Sequence, residues 1–357
     1  MKNLLLSALL TLATLALCFG VGEIAARLLL PPHPLYLDPQ PLHDPDPSLR
    51  WVLRPSQTGF TQDRRMHVNA AGLRDAEELP ARKPTGEARV LVLGDSFSFG
   101  NGVGDGDTYA EVLERELRAR GFPARVLNAG VQGYDVHQES DWLRERGLAL
   151  EPDAIVVGLY ENDLVRRKEA GKAAPIAPDG GLRKGRLREL VPDPWIYAVK
   201  RSRAVAFLGL SLRELRWRSF PPPGNYHAKA LFQAKGSPAW EQALADVRDS
   251  LARVRELAAG RAGTPVVAIF PHHGQMEPGI LDRTYHDPAV ALVADVGLEP
   301  VDLLAAFRAA SRRGESPFIP FDGHPNELGH RLAGEALAEP VARALAEARP
   351  AAPAPVH

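Results

Sequence analysis

Four short polar segments of this chain contain side chains that together could carry out covalent catalysis. In chain order they are Gly-Asp-Ser at 94–96, Asn-Ala-Gly-Val-Gln-Gly at 128–133, Tyr-Glu-Asn-Asp at 160–163 and Asp-Gly-His-Pro-Asn at 322–326. A serine hydroxyl becomes a good nucleophile when a base removes its proton, and a neutral histidine suits that task near neutral pH. A carboxylate can orient such a histidine and stabilise its charged form. These residue types therefore indicate acyl-group chemistry at a serine.

The first three segments each follow a stretch that is typical of a buried strand. Buried-strand patterns occur at 89–93, 124–127, 154–159, 265–270 and 301–303. The fourth segment comes just before a helical pattern that begins at about Asn326. Because ligands bind at the carboxyl ends of the strands in a parallel sheet, we expect all four segments at one edge of the sheet.

Helical patterns separate these strands, and three of them open with a typical capping residue: Thr108, Asp135 and Ser237. Strands that alternate with helices predict an α/β protein. The expected architecture is a three-layer sandwich, in which a central, mostly parallel sheet of about five strands has helices on both faces.

The N-terminus carries a long apolar run. No charged residue occurs from Leu4 to Gly22, and such a helix would reach about 28 Å, roughly the thickness of the bilayer's hydrocarbon core. We interpret residues 1–30 as a signal anchor, that is, an N-terminal transmembrane helix. A cleaved signal peptide and a lipoprotein signal acylated at Cys18 are the alternatives. All three place the remainder outside the cytoplasm, in the periplasm or at the cell surface if anchored and secreted if cleaved.

The chain divides further by composition. Residues 31–87 are rich in proline and polar residues, which predicts an extended linker and N-terminal extension. A catalytic domain follows at 88–346, and the tail at 347–357 is expected to be disordered. Within the domain, an insertion at 165–235 contains 16 Lys or Arg against 5 Asp or Glu. This insertion is either a solvated appendage or a lid or docking surface for an anionic polymer or lipid headgroups.

Charge and composition exclude several classes of function. The formal net charge of −1 argues against nucleic acid as a partner. The single cysteine, Cys18, permits no disulfide within the chain. Neither metal-ligand spacing nor a phosphate-binding glycine loop is present in the sequence, so we expect no cofactor.

Together, the four polar segments resemble the SGNH (GDSL-type) hydrolase family over about residues 88–345. The resemblance implies a flavodoxin-like SGNH fold with Ser96 as the nucleophile, His324 as its base and Asp322 as the acid. Only Gly323 separates the acid from the histidine, whereas many members have two residues there. The shorter spacing occurs in branches related to enzymes of polysaccharide acetylation and deacetylation, some of them membrane-anchored.

The resemblance also implies an oxyanion hole. Its donors would be the backbone N–H groups of Ser96 and Gly133 and the side-chain amide of Asn162. Gly133 matches better than Gly130, because it is the second glycine after the strand. Donors of this kind stabilise the charge that develops on the carbonyl oxygen.

Other polar residues near the predicted edge have structural interpretations. Asp95 is expected to bond the local backbone, and Asp163 to orient the Asn162 loop. His272 and His273 follow the fourth core strand, either as substrate contacts or as exposed loop residues. The remaining candidates, His137 and His330, lie on predicted helices and are interpreted as surface or packing residues.

The sequence therefore predicts a serine ester hydrolase that acts outside the cytoplasm through an acyl-serine intermediate. Its expected partners are the membrane, through the N-terminal helix, and an acylated small molecule, lipid or polysaccharide. Removal of O-acyl groups, acetyl above all, from a glycan or lipid is the leading interpretation. Two alternatives remain: an O-acyltransferase for a cell-envelope or extracellular polysaccharide, and a non-catalytic polysaccharide-binding module.

Overall fold

Five short strands pair in parallel at the centre of the computed structural model. They are β5 (Ala88–Leu93), β6 (Ala124–Asn128), β7 (Ala154–Leu159), β8 (Val266–Ile269) and β9 (Glu299–Asp302), numbered after four N-terminal strands. Their order across the sheet is β6-β5-β7-β8-β9, and every neighbouring pair is parallel. The chain adds β6 on one side of β5 and then adds β7, β8 and β9 on the other side. Doubly wound sheets bind their ligands at such a switch point. The predicted α/β fold is confirmed.

The structure describes residues 2–30, 35–164, 176, 180–182, 201–219, 236–276, 283, 285–320 and 322–348. Contacts divide the described residues into two units. The smaller unit contains those within 1–36, 184–223 and 320–322, and the larger unit contains the rest, including the whole sheet.

Helices cover both faces of the sheet. One face carries α4 (Val136–Glu145), α6 (Pro238–Ala258) and α7 (His286–Asp295). The other face carries α3 (Tyr109–Ala119), α8 (Leu304–Arg312) and α9 (Glu327–Ala348). Strands β5, β7 and β8 are buried along their whole length, which explains why they read as continuous apolar runs in the sequence.

The helices begin where their capping residues predict. Thr108 accepts a hydrogen bond from the N–H of Glu111, and Asp135 and Ser237 cap α4 and α6 in the same way. Each cap satisfies a backbone donor that the first helical turn leaves without a partner. Helices α7 and α8 were not predicted from the sequence; the residues directly before them, Tyr285 and Leu303, make no side-chain cap of this kind.

The interpretation of residues 31–87 as an extended linker is wrong for their described central part. Two antiparallel hairpins form there: β1 (His43–Asp46) with β2 (Arg50–Leu53), and β3 (Gln57–Thr61) with β4 (Arg64–Val68). Trp51 and Met66 are fully buried in the same core cluster as the sheet. Tertiary burial of a few large side chains therefore outweighs a composition that favours extended chain.

The smaller unit contains two helices, α1 (Lys2–Leu29) and α5 (Arg203–Ser219). Among the described residues, Leu5–Leu29 is the one helical stretch that is long and apolar enough to cross a membrane, and its most apolar part is not buried by the protein. Most of the predicted basic insertion, including Arg183, Lys184, Arg186 and Arg188, lies outside the described residues, as does the tail from residue 349 onwards.

Candidate active site

The switch point of the sheet brings together a serine and a histidine from opposite ends of the catalytic domain. Strand β5 ends at Leu93, and Ser96 begins the four-residue helix α2 (Ser96–Phe99). The Ser96 Oγ lies 2.9 Å from the Nε2 of His324, a hydrogen-bond distance. The ring of Phe97 packs against the imidazole, with centroids 5.1 Å apart. A base at this distance can take the serine proton.

Asp95 joins the serine turn to the third polar segment. One carboxylate oxygen accepts the N–H of Phe97 at 2.8 Å and so caps α2. The other accepts the side-chain Nδ2 of Asn162, also at 2.8 Å. The first contact is the local backbone bond that the sequence predicts for Asp95. The second was not predicted, and it fixes the orientation of the Asn162 amide beside the serine turn.

Asp163 holds two loops in place. It is buried, and its two oxygens accept the backbone N–H groups of Val136 and Tyr160, each at 2.8 Å. The loop after β6 and the loop after β7 are thereby tied to each other. These contacts match the orienting role expected of Asp163, and they also fix the position of the neighbouring Asn162.

Gly130 and Gly133 of the second polar segment have different structural roles. Gly133 has a φ of +79°, a left-handed conformation that residues with a side chain rarely adopt. At Gly130, an added Cβ would lie 2.2 Å from the backbone nitrogen of Phe99. The loop after β6 therefore packs directly against the backbone of α2 at Gly130. The N–H groups of Ser96 and Gly133 remain predicted oxyanion donors.

The guanidinium of Arg74 holds the end of α2, a role that the sequence analysis missed. Arg74 is buried and donates to the carbonyls of Phe99, Gly100 and Val103 at 2.7–2.8 Å. Its guanidinium also lies over the Phe99 ring, 4.5 Å from the centroid. In the sequence, Arg74 falls within residues 31–87, which were predicted to be an extended linker and N-terminal extension. The only available signal, an arginine in that segment, did not reveal a contact with the nucleophile helix.

The acid predicted for the triad, Asp322, belongs to the smaller unit. Within that unit its Oδ2 lies 3.4 Å from the hydroxyl of Tyr36. Its role as the acid partner of His324 remains a prediction from the family resemblance.

Of the two predicted contact histidines, His272 caps a short 3-10 helix after β8 and His273 is the first residue of that helix. The Nδ1 of His272 accepts the N–H of Gly274 at 3.0 Å, so Nε2 carries the proton of the neutral ring and lies 3.8 Å from an oxygen of Glu161. The His273 ring packs on Gly323, since an added Cβ there would lie 3.2 Å from its Nδ1. His273 thus contacts the segment that carries His324, and substrate contact by either histidine stays a prediction.

Glu161 is an ionisable group at this edge that is largely removed from solvent. Burial raises the pKa of the Glu161 carboxyl to about 8. The group is therefore mostly protonated at neutral pH and can donate a hydrogen bond. The sequence analysis assigned it no role, because burial cannot be read from a loop sequence.

The histidines predicted to be surface or packing residues lie on helices. His330 of α9 is fully buried and accepts the N–H of Tyr109 at 3.1 Å, and burial lowers its pKa to about 3. His137 of α4 is exposed and lies 3.5 Å from Asp141. Within the described part of the chain, no three His, Cys, Asp or Glu side chains are grouped as a metal site would require.

A serine hydroxyl paired with an imidazole at the carboxyl edge of a doubly wound sheet is an arrangement suited to hydrolysis through a serine. A model of the GDSL-like lipase/acylhydrolase family matches residues 92–332. The chain therefore belongs to this family and is an ester hydrolase. It matches none of the curated proteins.

Several solved structures are similar to this chain at low identity. One is a member of the lipolytic G-D-S-L family from Veillonella parvula, with 14% identity, a TM-score of 0.41 and coverage of 71% of this chain and 97% of that one. Another is an acetylxylan esterase from Geobacillus stearothermophilus, with 14% identity, a TM-score of 0.42 and coverage of 71% and 94%. Because these identities and TM-scores are low, the family assignment rests on the match to the family model.

Proposed function

We propose that this protein is a serine esterase that acts outside the cytoplasm and removes O-acyl groups, acetyl above all, from a glycan or lipid. Ser96 is the nucleophile, His324 the general base, and Asp322 the acid that orients it. The observation that carries the proposal is the 2.9 Å distance between the Ser96 Oγ and the His324 Nε2. The apolar helix α1 supports the location, because it is long enough to cross a membrane.

The reaction follows from this pair. The Ser96 oxygen attacks the ester carbonyl while its proton passes to the Nε2 of His324. The tetrahedral intermediate collapses to an acyl-serine, and the departing alkoxide takes the proton from the imidazolium. Water then attacks the acyl-serine with His324 again as base, which releases the acid and restores the hydroxyl.

The oxyanion requires donors that are in place before the reaction. In this proposal they are the N–H groups of Ser96 and Gly133 and the Nδ2 of Asn162. Asp95 accepts one hydrogen of that Nδ2, which leaves the second for the substrate oxygen. Loss of one such donor costs about 10²–10³ in kcat.

The nucleophile assignment is tested with a fluorophosphonate probe and an activated acetyl ester. Ser96→Ala should lose labelling and lower kcat by at least about 10³-fold without changing the melting temperature much. Ser98→Ala is the matched control on the same helix, since Ser98 is buried and its hydroxyl is bonded to Tyr109. This control should still be labelled. Labelling that persists in Ser96→Ala would overturn the assignment.

A second assay distinguishes hydrolysis from its alternatives. The full chain is incubated with an activated acetyl ester, with acetylated glycans and with long-chain esters. Release of free acetate from glycans supports the proposal, and preference for long-chain esters would make a lipid the substrate. Transfer of acetyl to a sugar hydroxyl would identify an acyltransferase. Binding of glycan without turnover would identify a binding module.

A further inference from the structure

Helices α1 and α5 of the smaller unit are joined by a carboxylate at the start of α5. The side chain of Glu23, near the end of α1, accepts the hydroxyl of Ser202 at 2.6 Å and the N–H groups of Arg203 and Ala204 at 3.2 and 3.1 Å. The first N–H groups of a helix have no partner within the helix, and a carboxylate both satisfies them and complements the helix dipole. The start of α5 is therefore held at the last turns of α1.

A side chain of α5 also binds backbone carbonyls at the end of α1. Arg203, the first residue of α5, donates to the carbonyls of Arg27 and Leu30 at 2.9 and 3.0 Å. Arg27 lies in the last turn of α1 and Leu30 directly follows the helix, where carbonyls lack partners within the helix. Arg27 in turn donates to the carbonyl of Arg201 at 3.4 Å. Each helix thus caps the other, and α5 begins where the apolar helix ends.

Beyond this join, α5 exposes large apolar side chains. Phe207, Leu208 and Leu212 have exposed fractions of 46%, 57% and 55%. Their spacing places them within about 140° of one another around the helix, on one side of it. The end of α1 exposes Leu28 and Leu29 in the same way. An apolar surface of this kind indicates contact with an apolar partner.

We propose that α5 lies on the surface of the bilayer that α1 crosses, with Phe207, Leu208 and Leu212 inserted among the lipid chains. The occupant of this surface is lipid because α5 starts at the end of the membrane-crossing helix and, like that end, exposes large apolar side chains. The sequence at 213–219 contains four charged residues, which is too many for a second membrane span. The inference rests on the membrane anchor of the proposed function.

The proposed location of α5 favours the interpretation of the basic insertion as a docking surface on the membrane. From its composition, the insertion was predicted to be either a solvated appendage or a lid or docking surface for an anionic polymer or lipid headgroups. The described part of the insertion adds apolar contact, so membrane association through α5 should persist at high salt. An interaction of charges alone would weaken, because salt screens exposed charges over about 10 Å at 0.1 M.

Depth-dependent quenching in vesicles tests the proposal. In a Cys18→Ser background, which removes the sole cysteine, single cysteines are introduced by Leu212→Cys on α5, Leu12→Cys within α1 and Glu241→Cys on α6. Each full-length variant is labelled with an environment-sensitive dye. It is then reconstituted in vesicles of equal parts phosphatidylcholine and phosphatidylglycerol that contain spin-labelled lipids with the label at different depths.

The label at position 212 should be quenched best by shallow spin labels and at least about twice as strongly as the label at exposed position 241, at both low and high salt. Quenching at 12 but not at 212 would overturn the inference and leave the anchor intact. Absence of quenching at 12 would overturn the anchor itself. A dye at 212 that is shielded equally in detergent and in vesicles would show that protein, such as a second copy, covers this face.

Discussion

Ser96 and His324 are separated by 228 positions in the chain, yet their side chains meet at hydrogen-bond distance. Around them, Asp95 and Asp163 accept backbone or amide hydrogens and hold the neighbouring loops. The polar residues of this site thus divide into the Ser96–His324 pair, which can transfer a proton, and the acidic side chains of Asp95 and Asp163, which fix the positions of the loops.

The contribution of the base can be compared with that of the acid. We expect His324→Ala to lower kcat nearly as much as Ser96→Ala, by at least about 10³-fold, because both remove proton transfer from the hydroxyl. Asp322→Ala should cost less, since the oxyanion donors and the base remain. Steady-state kinetics of the three variants on one activated ester measures the loss of kcat in each and so ranks them. An Asp322→Ala enzyme as inactive as His324→Ala, or a fully active one, would contradict it.

The raised pKa of Glu161 predicts that the stability of the folded protein depends on pH. Its pKa is raised from 4.5 to about 8 in the folded protein, because burial disfavours the charged form. Between these two values the unfolded chain releases the proton while the folded protein keeps it. The contribution of Glu161 to the unfolding free energy therefore falls as pH rises from 4.5 to about 8, by up to about 1.4 kcal/mol per pKa unit.

Glu161→Gln should remove that slope and raise the melting temperature at pH 8 relative to the unmodified protein. Thermal unfolding at several pH values measures the effect, with Glu241→Gln at an exposed position as the control that leaves the slope unchanged. His272 lies 3.8 Å from the carboxylate and, when protonated, would favour its charged form. A slope unaltered by Glu161→Gln would show that the carboxyl ionises as it does in the unfolded chain.

Among the elements of the fold, α2 depends most on its surroundings. A helix of four residues cannot hold itself together, because nucleation fixes several residues for very few hydrogen bonds. Asp95 caps its start, the backbone at Gly130 packs against it, and Arg74 binds the carbonyls at its end. The nucleophile is thus positioned by three other parts of the chain.

Arg74→Lys tests this support. A lysine cannot reproduce the fork of donors that binds three carbonyls, so we expect a loss of about 2–4 kcal/mol in unfolding free energy. We also expect a lower kcat with little change in KM, measured well below the melting temperature. Arg125→Lys is the matched control, because Arg125 is also largely buried and pairs with Asp75 at 2.6 Å.

The control should lose stability while keeping its kcat. If the two variants lose kcat in equal proportion, Arg74 contributes to stability alone. If Arg74→Lys is as stable and as active as the unmodified protein, the guanidinium does not support α2.

At the scale of the whole molecule, the two units carry different properties. The larger contains the sheet and the Ser96–His324 pair, and the family model matches within residues 92–332. The smaller contains the apolar helix and α5.

The anchor is tested by fractionation. The full chain should stay with membranes through salt and carbonate washes, because a helix of this length and apolarity inserts stably. A chain that begins at Pro31 should lose this tight attachment and keep its esterase activity. N-terminal sequencing of the expressed protein provides the check. A mature protein that begins near Gly20 and is freely soluble would mean a cleaved signal peptide.

Local sequence patterns determined much of the fold and the main site candidates. Short apolar runs identified all five core strands, and the period of the apolar residues together with the capping residues identified helices α3, α4, α6 and α9. Such patterns can be read locally because a central strand is buried on both faces, whereas a helix buries one face with a fixed period. The polar segments at the strand ends then pointed to Ser96 and His324, since parallel strands bring their carboxyl ends to one edge.

Only the tertiary structure decided what depends on contacts between distant segments. It placed Trp51 in the core, although proline and polar residues around it favoured an extended linker. It brought Arg74 to the carbonyls at the end of α2, and it buried Glu161 so that its pKa is raised. Burial and hydrogen bonding between residues far apart in the chain leave no periodic trace in the sequence, because they depend on which surfaces meet after folding.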